Sequence, residues 1–166
     1  MGGKVAQLVA ATRPTRLRGM VLVGPGPAKP AAEITAEYRE FLSHAYDTEE
    51  SAAAARDTVL TATDLSARIK EQIGTDSRAG AEAARTEWPL RGIAEDITEH
   101  ARMISVPALI IAGEHDRVEP VEVLRQNLLP YLPRAEFAVI PNTGHLIPLE
   151  APAELVDAIT TFAPAA

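Results

Sequence analysis

Three short apolar runs stand out along the chain: Leu17–Val23 (LRGMVLV), Pro107–Gly113 (PALIIAG) and Ala135–Ile140 (AEFAVI). The first is closed by Gly24-Pro25-Gly26-Pro27, so it reads as a buried strand followed by a loop. Pro107–Gly113 has no polar alternation, which predicts burial on both faces, as in a parallel sheet. Other apolar residues recur at helical spacing. They are Val5, Leu8, Val9 and Thr12 within Met1–Thr12, which Pro14 closes; Val121, Val123, Leu124, Leu128 and Leu129 within Pro120–Leu132; and Leu155, Val156, Ile159 and Phe162 within Pro152–Phe162. Strand, helix, strand, helix at these lengths predicts a parallel α/β sheet with helices packed on it.

Residues 29–99 differ in character. They are rich in alanine and charge and show no strand pattern. Short helices are expected over Ala32–Tyr46, Thr48–Thr61, Leu65–Ile73 and Ala79–Glu87, with Trp88-Pro89 ending the last. The helix over Met1–Thr12 has no residue before it to serve as an N-cap, although a helix start leaves four amides needing partners. That is expected if further sequence precedes it.

Composition narrows the function classes. With 46% hydrophobic residues in 166, the chain can bury the core of one domain. A net charge of −7 argues against nucleic acid or an anionic membrane as the main partner. There is no cysteine, hence neither a disulfide framework nor a thiolate metal site. No apolar run reaches the ~18 residues of a membrane span. Ala6 stands where a myristoylation signal wants Ser or Thr, and Met1–Ala11 lacks the apolar region of a signal peptide. A cytoplasmic protein is expected.

Two loops following predicted strands carry ionisable residues. One is Gly113-Glu114-His115-Asp116-Arg117-Val118-Glu119-Pro120; the other runs from Pro141 through Asn142-Thr143-Gly144-His145 to Glu150. In an open parallel sheet, ligands bind outside the carboxyl ends of the strands, so both loops are expected at the reactive edge. A histidine acts as a base at one ring nitrogen when an acid orients the other. One helix and one strand separate Asp116 from His145, a connection that returns the chain to the same edge. Asp116 could also serve as a helix-capping or turn acid before the Val118–Leu132 segment, with the orienting acid of His145 the preferred reading. Glu114 is its nearest rival as partner of His145, and Glu119 a weaker one. His115 reads as a loop neighbour, and His44 and His100 have no partner motif.

These two loops resemble the acid loop (GEHDRVEP) and the histidine loop (NTGHLIPLEAP) of the α/β-hydrolase family, and the order acid then histidine matches as well. Met1-Gly2-Gly3 is similar to the residues that follow the serine of that family's Gly-x-Ser-x-Gly elbow. The resemblance covers nearly the whole chain. It implies a partial α/β-hydrolase sheet of about three parallel strands with flanking helices. Residues 1–28 and 100–166 would form the core, and 29–99 a helical cap inserted over the active site. The first strand is expected at a sheet edge. Asp116 and His145 would be the triad acid and base, and Met1 would stand at the oxyanion-hole position. The serine would directly precede Met1. Ser43, Ser51 and Ser66 fall in helical cap sequence, and Ser77 and Ser105 lack the elbow context.

The activity so implied is hydrolysis of a small ester, lactone or related bond in a small-molecule substrate, with no metal or organic cofactor. Without its serine the chain would be inactive alone. The other readings are a non-catalytic remnant that binds or interacts, with self-association through an exposed sheet edge, and, at full length, a haloperoxidase-like or C–C bond hydrolase. Trp88, Tyr38, Phe41 and Leu42 either line a substrate pocket or form the core of the cap.

Overall fold

The structure, a computed structural model, describes residues 1–162. Its centre is β2, Ala108–Gly113, in which all six residues are buried. Side chains alternate along a strand. Ala108, Ile110 and Ala112 therefore enter one core, while Leu109 and Ile111 enter another on the opposite face. β1 (Met20–Val23) and β3 (Ala135–Ile140) flank it in the order β1-β2-β3, both parallel to β2. The double-sided burial expected of PALIIAG is what the parallel sheet shows, and β1 lies at an edge as expected.

One face of the sheet is covered by α1 (Gly2–Ala11), α6 (Thr98–Arg102) and α7 (Val121–Asn127), with Ala10, Ala101, Leu124 and Leu128 packed against the even-numbered residues of β2. The other face carries α8 (Ile147–Glu150) and α9 (Pro152–Phe162), through Ile147, Ala151, Leu155 and Phe162. Ile110, Ile111, Leu124, Leu128 and Ile147 are fully buried. Each such side chain contributes about 1.5–3 kcal/mol relative to exposure.

Between β1 and β2 lie α2 (Ala36–Ser43), α3 (Glu49–Ala55), α4 (Ala67–Ala79) and α5 (Glu82–Leu90), and no strand occurs among residues 29–99. Their starts follow capping chemistry. Thr35 accepts from the Tyr38 amide, Thr48 and Ser51 form a reciprocal capping box, and Ser66 accepts from the Ile69 amide.

Several boundaries differ from expectation, each for a physical reason. The pairing of β1 starts at Met20, not Leu17, because Pro107 has no amide to extend the ladder. The helix expected over Thr48–Thr61 changes at Arg56 into a π-helical turn, Arg56–Leu60. α4 runs through Gly74 to Ala79, and α5 holds Trp88-Pro89 in its last turn, where the missing proline amide gives up one helical hydrogen bond and the helix ends at the next residue. Pro130 divides the segment Pro120–Leu132 into α7 and a 3-10 turn, Leu129–Tyr131. The buried face of α1 is also rotated from expectation, with Leu8 alone of the expected set packed on the core. Val5 and Val9 are exposed, while Lys4, Gln7, Ala10 and Ala11 are buried, because small alanines let the helix approach the sheet closely. In α9, Leu155 and Phe162 pack on the core and Val156 is exposed.

Candidate active site

The loop after β2 builds its acid first. The Asp116 side chain is fully buried. Its Oδ1 accepts the amides of Val118 at 2.8 Å and Glu119 at 2.9 Å. Its Oδ2 lies 2.8 Å from Nδ1 of His145. Closing the loop turn and orienting the histidine are thus performed by the two oxygens of one carboxylate. An ionised carboxylate only accepts, so Nδ1 carries the proton and donates it to Oδ2. In a neutral ring Nε2 then holds the lone pair. Nε2 has no hydrogen-bond partner among the described residues, and 24% of the His145 side chain is exposed.

The loop after β3 reaches Asp116 because two positions permit it. Asn142 takes a left-handed conformation, φ 53°, which Asn tolerates better than most residues, and turns the chain back. Gly113 ends β2 with the second loop directly against it. A Cβ there would stand 2.1 Å from the Gly144 carbonyl oxygen and 2.5 Å from that of Thr143. The amide of His115 donates to the Thr143 carbonyl at 2.9 Å, which sews the loops together. Glu114 belongs to this seam: its Oε2 accepts the Asn142 amide at 2.9 Å. Of the three acids weighed against each other, Asp116 is the one on the His145 ring.

His145 lines a cavity of about 390 Å³ together with Met1, Gly24, Leu60, Trp88 and Glu119. Met1 is thus in the wall of this cavity, at the start of α1. Ser77 also lines it, whereas the hydroxyls of Ser43, Ser51 and Ser66 serve helix hydrogen bonds. An adjoining apolar cavity of about 650 Å³, walled by Phe41, Leu42, Tyr46, Val59 and Leu60, shares Leu42, Tyr46 and Leu60 with the first. Tyr38, Phe41 and Leu42 therefore line cavity space, as does Trp88. Glu119 is buried, and burial pushes its carboxyl up to about 8, with the nearby charge of Asp116 acting in the same direction.

The other histidines stand apart. His44 is exposed and bonds Asp47, which with Glu40 raises it above its ordinary value. His115 is half exposed beside Glu114, and His100 is exposed on α6. Among the described residues, no group of three His, Asp or Glu side chains could hold a metal ion, and no helix is long and apolar enough to cross a membrane. Two polar residues around the site were not anticipated. The Lys4 ammonium is buried and donates to the carbonyls of Gly92, Ile93 and Glu95. Glu150 accepts from the Gly144 amide and from residues of the helical segment. Lys4 gave no signal in the sequence, and Glu150 gave none beyond its proximity to His145.

Residues 1–152 match the family model described as serine aminopeptidase, S33. No curated protein sequence gives a match. Among solved structures, the chain is similar to a membrane phospholipase A described as a bacterial virulence factor, at 25% identity and a TM-score of 0.75 over 96% of this chain and 53% of that one. It is similar to a thermophilic esterase from Thermogutta terrifontis, at 24% identity and a TM-score of 0.70 over 96% of this chain and 60% of that one. An enol-lactonase from Burkholderia xenovorans LB400 follows at 20% identity and a TM-score of 0.74, over 99% of this chain and 63% of that one. The chain thus spans between 53% and 63% of the length of these structures.

Proposed function

This chain belongs to the serine aminopeptidase S33 family of α/β-hydrolases, and on that premise we propose that Asp116 and His145 are the acid and base of a Ser-His-Asp triad hydrolysing a small ester, lactone or related bond. The observation that carries the reading is the 2.8 Å contact between Asp116 and Nδ1 of His145 beside a cavity, with Nε2 unpartnered among the described residues. In this reading Nε2 takes the proton from a serine hydroxyl as it attacks the substrate carbonyl, then returns it to the leaving group. Asp116 holds the tautomer and stabilises the imidazolium. The oxyanion forms at the start of α1, near Met1, where helix amides and the helix dipole favour negative charge. The helices of residues 29–99 act as a cap, and the apolar cavity beside them takes the hydrophobic part of the substrate.

The proposed nucleophile is a serine preceding Met1 in a longer protein. Ser77 lines the cavity from α4, but it lies at no strand-to-helix turn that would present backbone amides to an oxyanion. The test is turnover of an activated ester. The 166-residue chain, shown by circular dichroism and size exclusion to be folded, should be inactive. Protein extended upstream to include the elbow serine should be active, and His145→Ala should then lower kcat by about 10⁶-fold. Turnover by the 166-residue chain that is lost on changing His145 would place the nucleophile inside it, with Ser77 the first to examine.

A second reading, association through the sheet, is favoured by β1 lying at the sheet edge and by the exposed Val5 and Val9 on α1. Concentration-dependent elution on size exclusion would support it.

A further inference from the structure

The helical segment is hydrogen-bonded to the two loops of the candidate site through one short stretch, residues 58–63, which runs from the π-helical turn to Thr63. The Leu60 carbonyl accepts the backbone amide of His145 at 2.9 Å and that of Leu146 at 3.1 Å. Arg117, next to Asp116, donates to the Thr58 carbonyl at 2.7 Å. Glu150 then holds the stretch to the histidine loop. Its Oε2 accepts the Ala62 amide at 2.7 Å, the Thr63 amide at 2.9 Å and the Thr63 hydroxyl at 3.1 Å, while Oε1 accepts the Gly144 amide at 3.1 Å. The fit is close. A Cβ on Gly144 would stand 2.7 Å from the Ala62 nitrogen and 3.0 Å from the Leu60 oxygen.

We propose that residues 58–63 are a strap that positions His145, with Glu150 as its latch, so that the Asp116–His145 hydrogen bond depends on the helical segment being docked. Both loops are held by this one piece of backbone. The amides of Gly144 and His145 are adjacent, and each is bound by a different part of the clamp, Glu150 and Leu60. Releasing the strap frees both at once, and the imidazole moves with them. The π-helical turn fixes the register in which Leu60 presents its carbonyl: the Thr61 amide and hydroxyl both bond the Arg56 carbonyl, at 3.1 and 2.9 Å. Glu150 touches no part of the cavity chemistry itself and is a positioning residue. The inference rests on the acid–base reading of Asp116 and His145 only for its catalytic meaning.

Glu150→Gln separates the strap from the loop, because a single amide oxygen serves either the strap donors or Gly144 and its NH₂ group repels the other. The readouts are the low-field proton NMR signal of His145 Nδ1–H, amide exchange at Ala62, Thr63 and Gly144, and circular dichroism for the fold, all on the 166-residue chain. In the folded variant, exchange should accelerate at one side of the latch by roughly ten- to a hundredfold, with the Nδ1–H signal broadened or lost. Faster exchange with an unchanged Nδ1–H signal overturns the proposal. Thr63→Val removes one hydroxyl bond and serves the same two outcomes if Glu150→Gln does not fold. Absence of the signal from the unaltered chain would overturn the acid–base pair itself. A signal present and latch-dependent in the 166-residue chain, with no turnover in protein extended upstream to include the elbow serine, would refute the catalytic reading alone.

Discussion

The sheet and the helices of residues 29–99 use burial in opposite ways. All six residues of β2 are buried, and they divide between two cores. By contrast α2 buries no residue, α3 only Ala52, α4 only Ile73 and α5 only Pro89. Phe41 of α2 is 75% exposed and faces a cavity. The sheet therefore has little freedom to change, whereas the helices can vary the residues they present without disturbing a core. Asp116 and His145 stand on loops anchored to the first region. The cavity walls that would sort substrates come from the second.

Substitutions can break or sharpen this contrast. The largest effect is expected at the rigid end of the site. In protein carrying the elbow serine, Asp116→Asn should lower kcat by about 10⁴-fold by leaving the imidazole in the wrong tautomer, while leaving the melting temperature nearly unchanged. A loss of less than tenfold in ester turnover would detach Asp116 from the chemistry. Next, Ile110→Ala in the centre of β2 should cost about 2–5 kcal/mol by urea denaturation, since it deletes a fully buried side chain between packed helices.

Glu119 sharpens the comparison through pH. Its folded-state value of about 8 lies above the ordinary 4.5. Between those pH values the folded state binds more protons than the unfolded one, so this residue lowers stability as pH rises through that window and has no such cost below it. Asp116 adds to the penalty, while Lys4 lessens it. Glu119→Gln should flatten the dependence and raise stability by on the order of 1–3 kcal/mol near pH 8 and by little near pH 4. Equal slopes for the two proteins in denaturation curves across that range would contradict the assignment. The smallest effect belongs to the helices: Phe41→Ala should shift stability by less than about 0.5 kcal/mol while changing selectivity among esters with bulky apolar groups.

The same contrast explains what could be read from the sequence. A run such as PALIIAG needs both faces covered, which fixes it as a central parallel strand and places the following loop at the carboxyl edge. That loop and its partner after AEFAVI contained Asp116 and His145, and their meeting followed from the connection between them. The helices offered no comparable constraint. Alanine favours helix at almost any position, so the start of α2 and the two ends of α4 were decided by Thr35, Ser66 and Gly80, through caps and backbone conformation. The buried face of α1 was misread because hydrophobicity pointed to Val5 and Val9, whereas packing distance selected Ala10 and Ala11. The roles of Lys4, Glu114 and Glu150 depend on backbone carbonyls and amides brought together from distant segments, which no local pattern reports.

The central claim is that His145, oriented by Asp116, activates a serine outside these 166 residues. A fluorophosphonate probe, which phosphonylates only an activated serine, tests this directly when the labelled residue is located by peptide mass. With the upstream segment present, one label should appear on the serine before Met1, and His145→Ala should abolish it. Labelling of Ser77, or labelling at the elbow that survives the loss of His145, would contradict the account.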